Sequence, residues 1–406
     1  MGRCRDNHTV LSPTPLICGD LNMKTYRSAI AAITMCLGIM TMNSHAADID
    51  KNVPDYAIEL DKYVTENFAS AVPGAALIVV ANGKVQLVKA YGVREVGSRQ
   101  AVASDTVFRL ASVSKTFASS AIALLVKDGV VSWDTPIQPR LNYIKFKNAT
   151  YGRQITLKHL LSHTSGLVAH AYTNLLDENV PYNQILKRLQ DVDFVCPPGT
   201  CYGYQNLVFS LTANIVKSYT GISYEDYVAR NIFAPLHMNN ASYGLQSFVS
   251  APNHAVPHVK RNNKWVPVEV TQGYYDVAPA AGVNASILDM GQWIFAQLGH
   301  MPDVFPETTL AALHTRVVKT SPSQAHYGQK ESIGNVHYGL GWRIFDYGNY
   351  KNVVHHSGGV KGFRSEIVLN RESQIGMAFL TNAEPKKANE IVFKFLEFYE
   401  KYKNTN

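Results

Sequence analysis

Segments with strand composition occur at both ends of this chain, and the long stretch between them reads as helix and loop. That distribution limits the fold more than any other feature. Residues 75–81 run Ala-Ala-Leu-Ile-Val-Val-Ala, the composition of a buried strand. Asn82-Gly83 follows as a strong hairpin turn, and residues 84–91 return. Far downstream, residues 338–345, 352–356, 363–369 and 376–380 again have strand composition. Helical periodicity marks 53–68, 156–161, 182–189, 207–219, 224–232, 287–298 and 391–402. The economical arrangement is α+β: one antiparallel sheet assembled from both ends of the chain, flanked by helices, with a large helical insertion. A sheet subdomain of about 47–110 plus 280–406 and a helical subdomain of about 111–279 follow from it.

The 406 residues carry 46% hydrophobic and 17% charged side chains, enough apolar material for a sizeable core. The net charge of +7 is spread without a Lys/Arg block, which speaks against a nucleic-acid partner. Met23-Lys24-Thr25-Tyr26-Arg27 is a basic start, residues 28–42 are apolar, and Ser44-His45-Ala46 has a small-x-small cleavage pattern. Residues 23–46 therefore read as a signal peptide cleaved after Ala46, with 1–22 an upstream extension or misassigned start. The alternative is a retained anchor, but the apolar run is short for spanning a bilayer. Met35 before Cys36 argues against lipidation. The expected location is periplasmic or secreted, without stable membrane insertion after cleavage. Cys196 and Cys201 then remain, framing Pro197-Pro198-Gly199-Thr200. In an oxidising compartment they either pair across this loop or stay as two thiols.

Chemistry points to Ser112-Val113-Ser114-Lys115, at the head of an apolar helix. Spacing of i,i+3 places Ser112 and Lys115 on one face. A serine hydroxyl is a poor nucleophile until a base takes its proton, and a desolvated amine can serve as that base. Residues 117–126 are apolar nearly all round, so Lys115 is not expected to be a freely solvated charge. The competing reading is an ordinary solvated helix. No Gly-rich phosphate loop follows a strand, and neither His-Glu-x-x-His nor Gly-x-Ser-x-Gly occurs. No metal or organic cofactor is implied.

Two further motifs follow in order: Tyr204-Gln205-Asn206, and His356-Ser357-Gly358-Gly359 at the end of an expected strand. With Ser112-x-x-Lys115 upstream, the chain resembles the serine β-lactamase and penicillin-binding-protein superfamily, most nearly the class C β-lactamase-related hydrolases. Leu160-Leu161-Ser162-His163-Thr164-Ser165-Gly166-Leu167, Pro279-Ala280-Ala281-Gly282, Tyr338-Gly339-Leu340-Gly341-Trp342 and Leu380-Thr381-Asn382 support the resemblance. It implies a β-lactamase/transpeptidase-like fold and acyl-enzyme chemistry. Ser112 would be the acylated nucleophile, and Lys115 would take its proton or hold the network that does. Tyr204 would shuttle a proton to the leaving group and activate the deacylating water. Asn206 would bind Lys115 and the substrate amide. The backbone amides of Ser112 and Gly359 would form an oxyanion hole, and His356, Ser357 and Gly358 would line the cleft.

One departure matters. The β-lactamase form of the third motif is Lys-Thr-Gly, and here His356 holds the Lys position. Imidazole is mostly neutral at neutral pH, a weaker anchor for a substrate carboxylate. Lys361 and Arg364 either supply that charge or form a solvated pair. Substrates implied by the resemblance are β-lactams, D-amino-acid peptides, including a cell-wall peptide, and small esters. A rival is a penicillin-recognising sensor with little turnover. His163 is expected to fix a loop and His355 to face the other side of its strand. Trp133, Trp265, Trp293 and Trp342 are expected in the core or cleft wall. Tyr202, Tyr204, Tyr274 and Tyr275 are candidates to line the cleft.

Overall fold

The all-apolar run at the N-terminal end divides its side chains between two cores. In the computed structural model, which describes residues 53–327 and 331–405, Gly74–Ala81 is a strand buried along its whole length. Ala76, Ile78 and Val80 enter one hydrophobic cluster, whereas Ala75, Leu77, Val79 and Ala81 enter another. Alternation along a strand buried on both faces produces this division. Asn82 and Gly83 both take positive φ, as a tight hairpin turn requires, and Lys84–Gly92 pairs back antiparallel.

The other edge of Gly74–Ala81 pairs with Ile375–Thr381, Ala75 facing Thr381 and Ala81 facing Ile375. The sheet then runs outward through Phe363–Asn370, Tyr350–Val360, Arg343–Tyr347, Ile333–Tyr338 and the short Val318–Lys319, all antiparallel. Eight strands from the two ends of the chain thus make one sheet, as the strand distribution predicts. The expected single strand at 338–345 is two: Gly339 N–H donates to the Trp342 carbonyl at 2.7 Å, and Gly341 has φ +75. A glycine-bearing turn, hidden in a run of strand composition, separates them.

Helices cover both faces. Asp55–Val64 and Glu390–Lys403 pack together over one cluster, and Ile287–Leu298 lies over the other. Ser286 caps that last helix in a reciprocal capping box with Asp289. A Cβ at Gly291 would come within 2.5 Å of Ile78, so glycine permits the helix to sit this close to the sheet. The region between the two sets of strands is helical around Ser114–Lys127, which is buried from Ser114 to Leu125. Phe117 stacks on Trp293 at 4.0 Å, and Trp293 Nε1 donates to Thr116 Oγ1. The leader reading at 1–22 and 23–46 lies outside the described residues. Among the described residues no helix is long and apolar enough to cross a membrane.

Candidate active site

Ser112 lies in a single 3-10 turn, Ala111–Val113, that leads into Ser114–Lys127. The residue before it, Ala111, is buried at φ +47. A left-handed alanine costs on the order of 1 kcal/mol or more and persists only where its surroundings fix it. Here Leu110 N–H donates to Val283 O, Val283 N–H to Ser114 Oγ, and Ser365 Oγ to Leu110 O at 2.6 Å. The turn is pinned from two sides, and Ser112 faces a cleft of about 550 Å³.

The third motif reaches this turn because Gly358 has no side chain. A Cβ there would sit 2.2 Å from Leu110 O and 3.0 Å from Ser112 N. The strand Tyr350–Val360 therefore lies against the Ser112 turn, and His356, Ser357 and Gly359 line the same cleft. The second motif arrives on an ordered loop. Cys196 and Cys201 form a disulfide, Gly199 N–H donates to Thr164 O, and Gly203 N–H to His163 O. His163 Nδ1 accepts the Gln205 N–H at 3.2 Å, and its ring lies 4.2 Å from that of Tyr204. The expected loop-fixing role of His163 is thus visible, although its Nε2 has no partner.

Segments distant in the chain meet at one amine. Lys115 is 0% exposed, and its Nζ lies 2.8 Å from Asn206 Oδ1, 3.0 Å from Ala280 O and 3.4 Å from Ser112 Oγ. The two shorter partners are pure acceptors; the third is a hydroxyl that can donate. A neutral amine, with two N–H groups and one lone pair, fits this set. Burial, then the nearby Arg343 charge, pushes the Lys115 pKa well below its usual value. The Tyr204 phenol hydrogen-bonds Ser112, and Lys115 Nζ stands 4.6 Å from its ring centre. Burial raises the Tyr204 pKa, more than the Ser112 hydrogen bond and Arg343 lower it. The resting site thus favours a neutral amine beside a neutral phenol.

His356 is buried, with Nδ1 toward Ser357 O at 2.7 Å and Nε2 against the Tyr338 hydroxyl at 3.0 Å. Burial, Arg343 and Lys115 hold its pKa well below the usual imidazole value. Neither does Arg364 offer a free charge, for it binds Glu366 through Nε and Nη2. Lys361 stays at the exposed rim. Tyr202, Tyr204 and Tyr274 line the cleft, whereas Tyr275 turns away, its hydroxyl on Asn284 and its ring under Arg109. Trp293 and Trp342 are fully buried.

Arg343 was not among the residues the motifs single out. It lies beyond Gly341-Trp342, lines the cleft, is 5% exposed, and sits 5.5 and 6.0 Å from the ring centres of Tyr338 and Tyr204. The available signal was a cation inside the apolar run Trp342-Arg343-Ile344-Phe345.

Comparison with known proteins agrees with this geometry. The family model described as Beta-lactamase matches residues 60–394. Protein flp of Staphylococcus aureus (strain N315) is 26% identical over 340 residues, 82% of this chain and 64% of that protein. Unguisins hydrolase ungD' of Aspergillus campestris is 26% identical over 323 residues, 77% of this chain and 58% of the relative. The chain thus spans a little under two thirds of the length of these relatives. The octameric penicillin-binding protein homologue from Pyrococcus abyssi superposes with a TM-score of 0.73 at 24% identity, covering 82% of this chain and 75% of that one, a likeness of fold. With its three motifs gathered at one cleft and a family match across nearly all of the described residues, this chain belongs to the beta-lactamase family of the serine β-lactamase and penicillin-binding-protein superfamily.

Proposed function

We propose that this protein is a secreted, periplasmic serine hydrolase that cleaves an amide or ester through an acyl-enzyme on Ser112, within the class C-related branch of its family. The observation that carries the reading is the Lys115 amine: wholly buried, 2.8 and 3.0 Å from two carbonyl oxygens and 3.4 Å from Ser112 Oγ. Lys115 Nζ takes the Ser112 proton as Oγ bonds to the substrate carbonyl carbon. The carbonyl oxygen becomes an oxyanion, held by the N–H groups of Ser112 and Gly359, each donor worth about a hundredfold or more in rate. Collapse restores the carbonyl and breaks the bond to the leaving group, which takes a proton from Tyr204. The proton held by Lys115 then passes to the Tyr204 oxygen beside it, so that amine and phenol are both neutral again. A water molecule, deprotonated by the same pair, then attacks the acyl carbon and frees Ser112. Asn206 orients Lys115 and accompanies the substrate amide. His356, Ser357 and Gly358 form the wall against which substrate lies.

Export rests on the leader pattern at 23–46, and the disulfide between Cys196 and Cys201 suits an oxidising compartment. A neutral His356 in the place of a lysine favours small esters and D-amino-acid peptides over efficient β-lactam turnover. The test is intact-mass analysis after incubation with a penicillin and, separately, with a p-nitrophenyl ester. An acyl adduct that maps to Ser112, turns over with the ester and disappears in Ser112→Ala is the expected result. A lasting adduct without turnover would instead mark a penicillin-recognising sensor, and an adduct on another residue would end the assignment.

A further inference from the structure

Two imidazoles bear on the Tyr204 ring, and they are held in unlike ways. His163 is buried, its ring centre 4.2 Å from that of the phenol and tilted by 38°, and its Nδ1 accepts the Gln205 N–H. His170 is stacked, with ring centres 5.4 Å apart and planes at 28°. It is exposed and lines the cleft, and among the described residues no hydrogen bond holds its ring. No step of the proposed reaction uses it.

The backbone sets this ring in place. His170 takes φ +57, a left-handed conformation that is strained for any residue but glycine and that histidine accepts more readily than most. Two bonds tie its turn to the segment that carries the phenol. His170 N–H donates to Tyr204 O at 2.8 Å, and Gln205 Nε2 donates to Val168 O at 2.8 Å. Thr173 N–H closes the turn onto His170 O. The imidazole is thus aimed by main-chain bonds rather than by bonds of its own. What it meets is the phenol that hydrogen-bonds Ser112. A tyrosine hydroxyl stands at the far end of its ring, so a small swing of the ring takes it out of hydrogen-bond reach. An offset aromatic neighbour opposes that swing.

We propose that His170 is a positioning residue for Tyr204: its ring, set by a strained turn, holds the phenol at the angle from which it protonates the leaving group. The proposal rests on the hydrolase reading and adds to it a residue outside the three motifs. Because His170 acts through Tyr204, its effect depends on how much the leaving group needs a proton. Nitrophenolate departs without one, and an alkoxide does not. Acylation by an activated ester should hardly feel the loss of the ring, and the cost should grow as the leaving group becomes more basic.

The experiment uses the full chain and butyrate esters that differ only in the leaving group, from 4-nitrophenyl through phenyl to ethyl. The quantity read is kcat/KM for the 4-nitrophenyl ester divided by kcat/KM for each poorer one, a ratio in which the folded fraction cancels. His170→Asn removes the ring and keeps a side chain that tolerates positive φ. It should raise the ratio about tenfold for ethyl butyrate, and less for phenyl butyrate. His170→Phe, which restores a flat ring without the nitrogens, should return the ratio to within about twofold of wild type. In Tyr204→Phe the ratio should already be raised, and adding His170→Asn to it should change the ratio by less than about twofold. An unchanged ratio in His170→Asn would overturn the proposal. So would an undiminished effect of His170→Asn in the Tyr204→Phe background, since the imidazole would then not act through the phenol. Equal damage in His170→Phe and His170→Asn would overturn it as well, because stacking would not be the cause. Failure of wild type to form an acyl-enzyme on Ser112 with any of these esters is a separate outcome: it removes the hydrolase reading, and this proposal with it.

Discussion

His355 and His356 are consecutive residues of one strand, turned to opposite faces, and the two clusters they enter are built on opposite principles. His355 sits between the Tyr327 hydroxyl, 2.7 Å from Nδ1, and Glu366, 2.9 Å from Nε2, and Glu366 is held in turn by Arg364. Charge meets countercharge there, and the partners of Glu366 hold its pKa below the usual carboxylate range although burial works to raise it. His356 meets the Tyr338 hydroxyl with its Nε2 and lies near Lys115 and Arg343, although Arg343 stands directly across from His355 in the strand register. The groups around His356 include two basic side chains and the Ser112 hydroxyl, with no acid paired to any of them among the described residues. A closed network of this kind fixes a structure. An open one leaves bonds to be completed, which under the proposed function fall to a substrate, a developing oxyanion and a proton in transit.

Removing the amine from the open side is the largest break in this comparison. Lys115→Met should slow phosphonylation of Ser112 by a fluorophosphonate, or its acylation by an activated ester, about a thousandfold, the scale of a lost general base. The fold should not suffer in proportion. A lysine whose folded pKa is depressed binds fewer protons folded than unfolded, so wild-type stability rises with pH between the folded value and about 10.4, by up to ~1.4 kcal/mol per pH unit. The substitution would remove that slope and leave the protein no less stable at pH 7. Urea titrations at several pH values, set beside labelling rates, check both halves. A variant that unfolds at pH 7 would show that Lys115 serves packing.

The opposite outcome is expected from Glu366→Gln. Breaking a buried, satisfied network costs about 3 kcal/mol, because it strands the remaining partners, and the glutamate is fully buried. Its folded pKa lies below the unfolded one, so its contribution is present above about pH 4.3 and is lost as pH falls through the folded value. The variant should therefore be less stable than wild type at neutral pH and approach it in acid. Its labelling rate per folded molecule should move far less than in Lys115→Met. A large loss of labelling with unchanged stability would erase the distinction between the two clusters.

This contrast also explains what the chain made legible. The sheet could be read because its strands are apolar runs punctuated by turn residues, and such runs have few alternatives to burial. That Ser112, Lys115, Tyr204 and Asn206 stand close together was foreshadowed because each lies in a short motif of the resembled family. Arg343 could not, since it is one cation in an apolar segment, and only tertiary packing shows that it is buried among phenols at the cleft. Glu366 is the converse, an isolated acid in a strand until folding brings His355 and Arg364 to it. The break at Gly339–Gly341 was hidden for a related reason, since a turn inside an apolar segment leaves the composition unchanged.

The smallest effect tests how firmly the open cluster is held. The Cys196–Cys201 bridge closes a short loop just before Tyr204, so its effect on unfolded-chain entropy is modest, about 2 kcal/mol by loop length. The same loop is tied independently by Gly199 to Thr164, Gly203 to His163 and Gln205 to the His163 ring. If those bonds suffice to place the phenol, the double variant Cys196→Ser with Cys201→Ser should lose about 2 kcal/mol of stability and keep its acylation rate within about twofold. A fall of tenfold or more in acylation, with the protein still folded, would mean that Tyr204 is aimed by the covalent bridge. The precision of the open cluster would then come from its loop rather than from the packed turn at Ala111 and the glycine that lets the strand approach it.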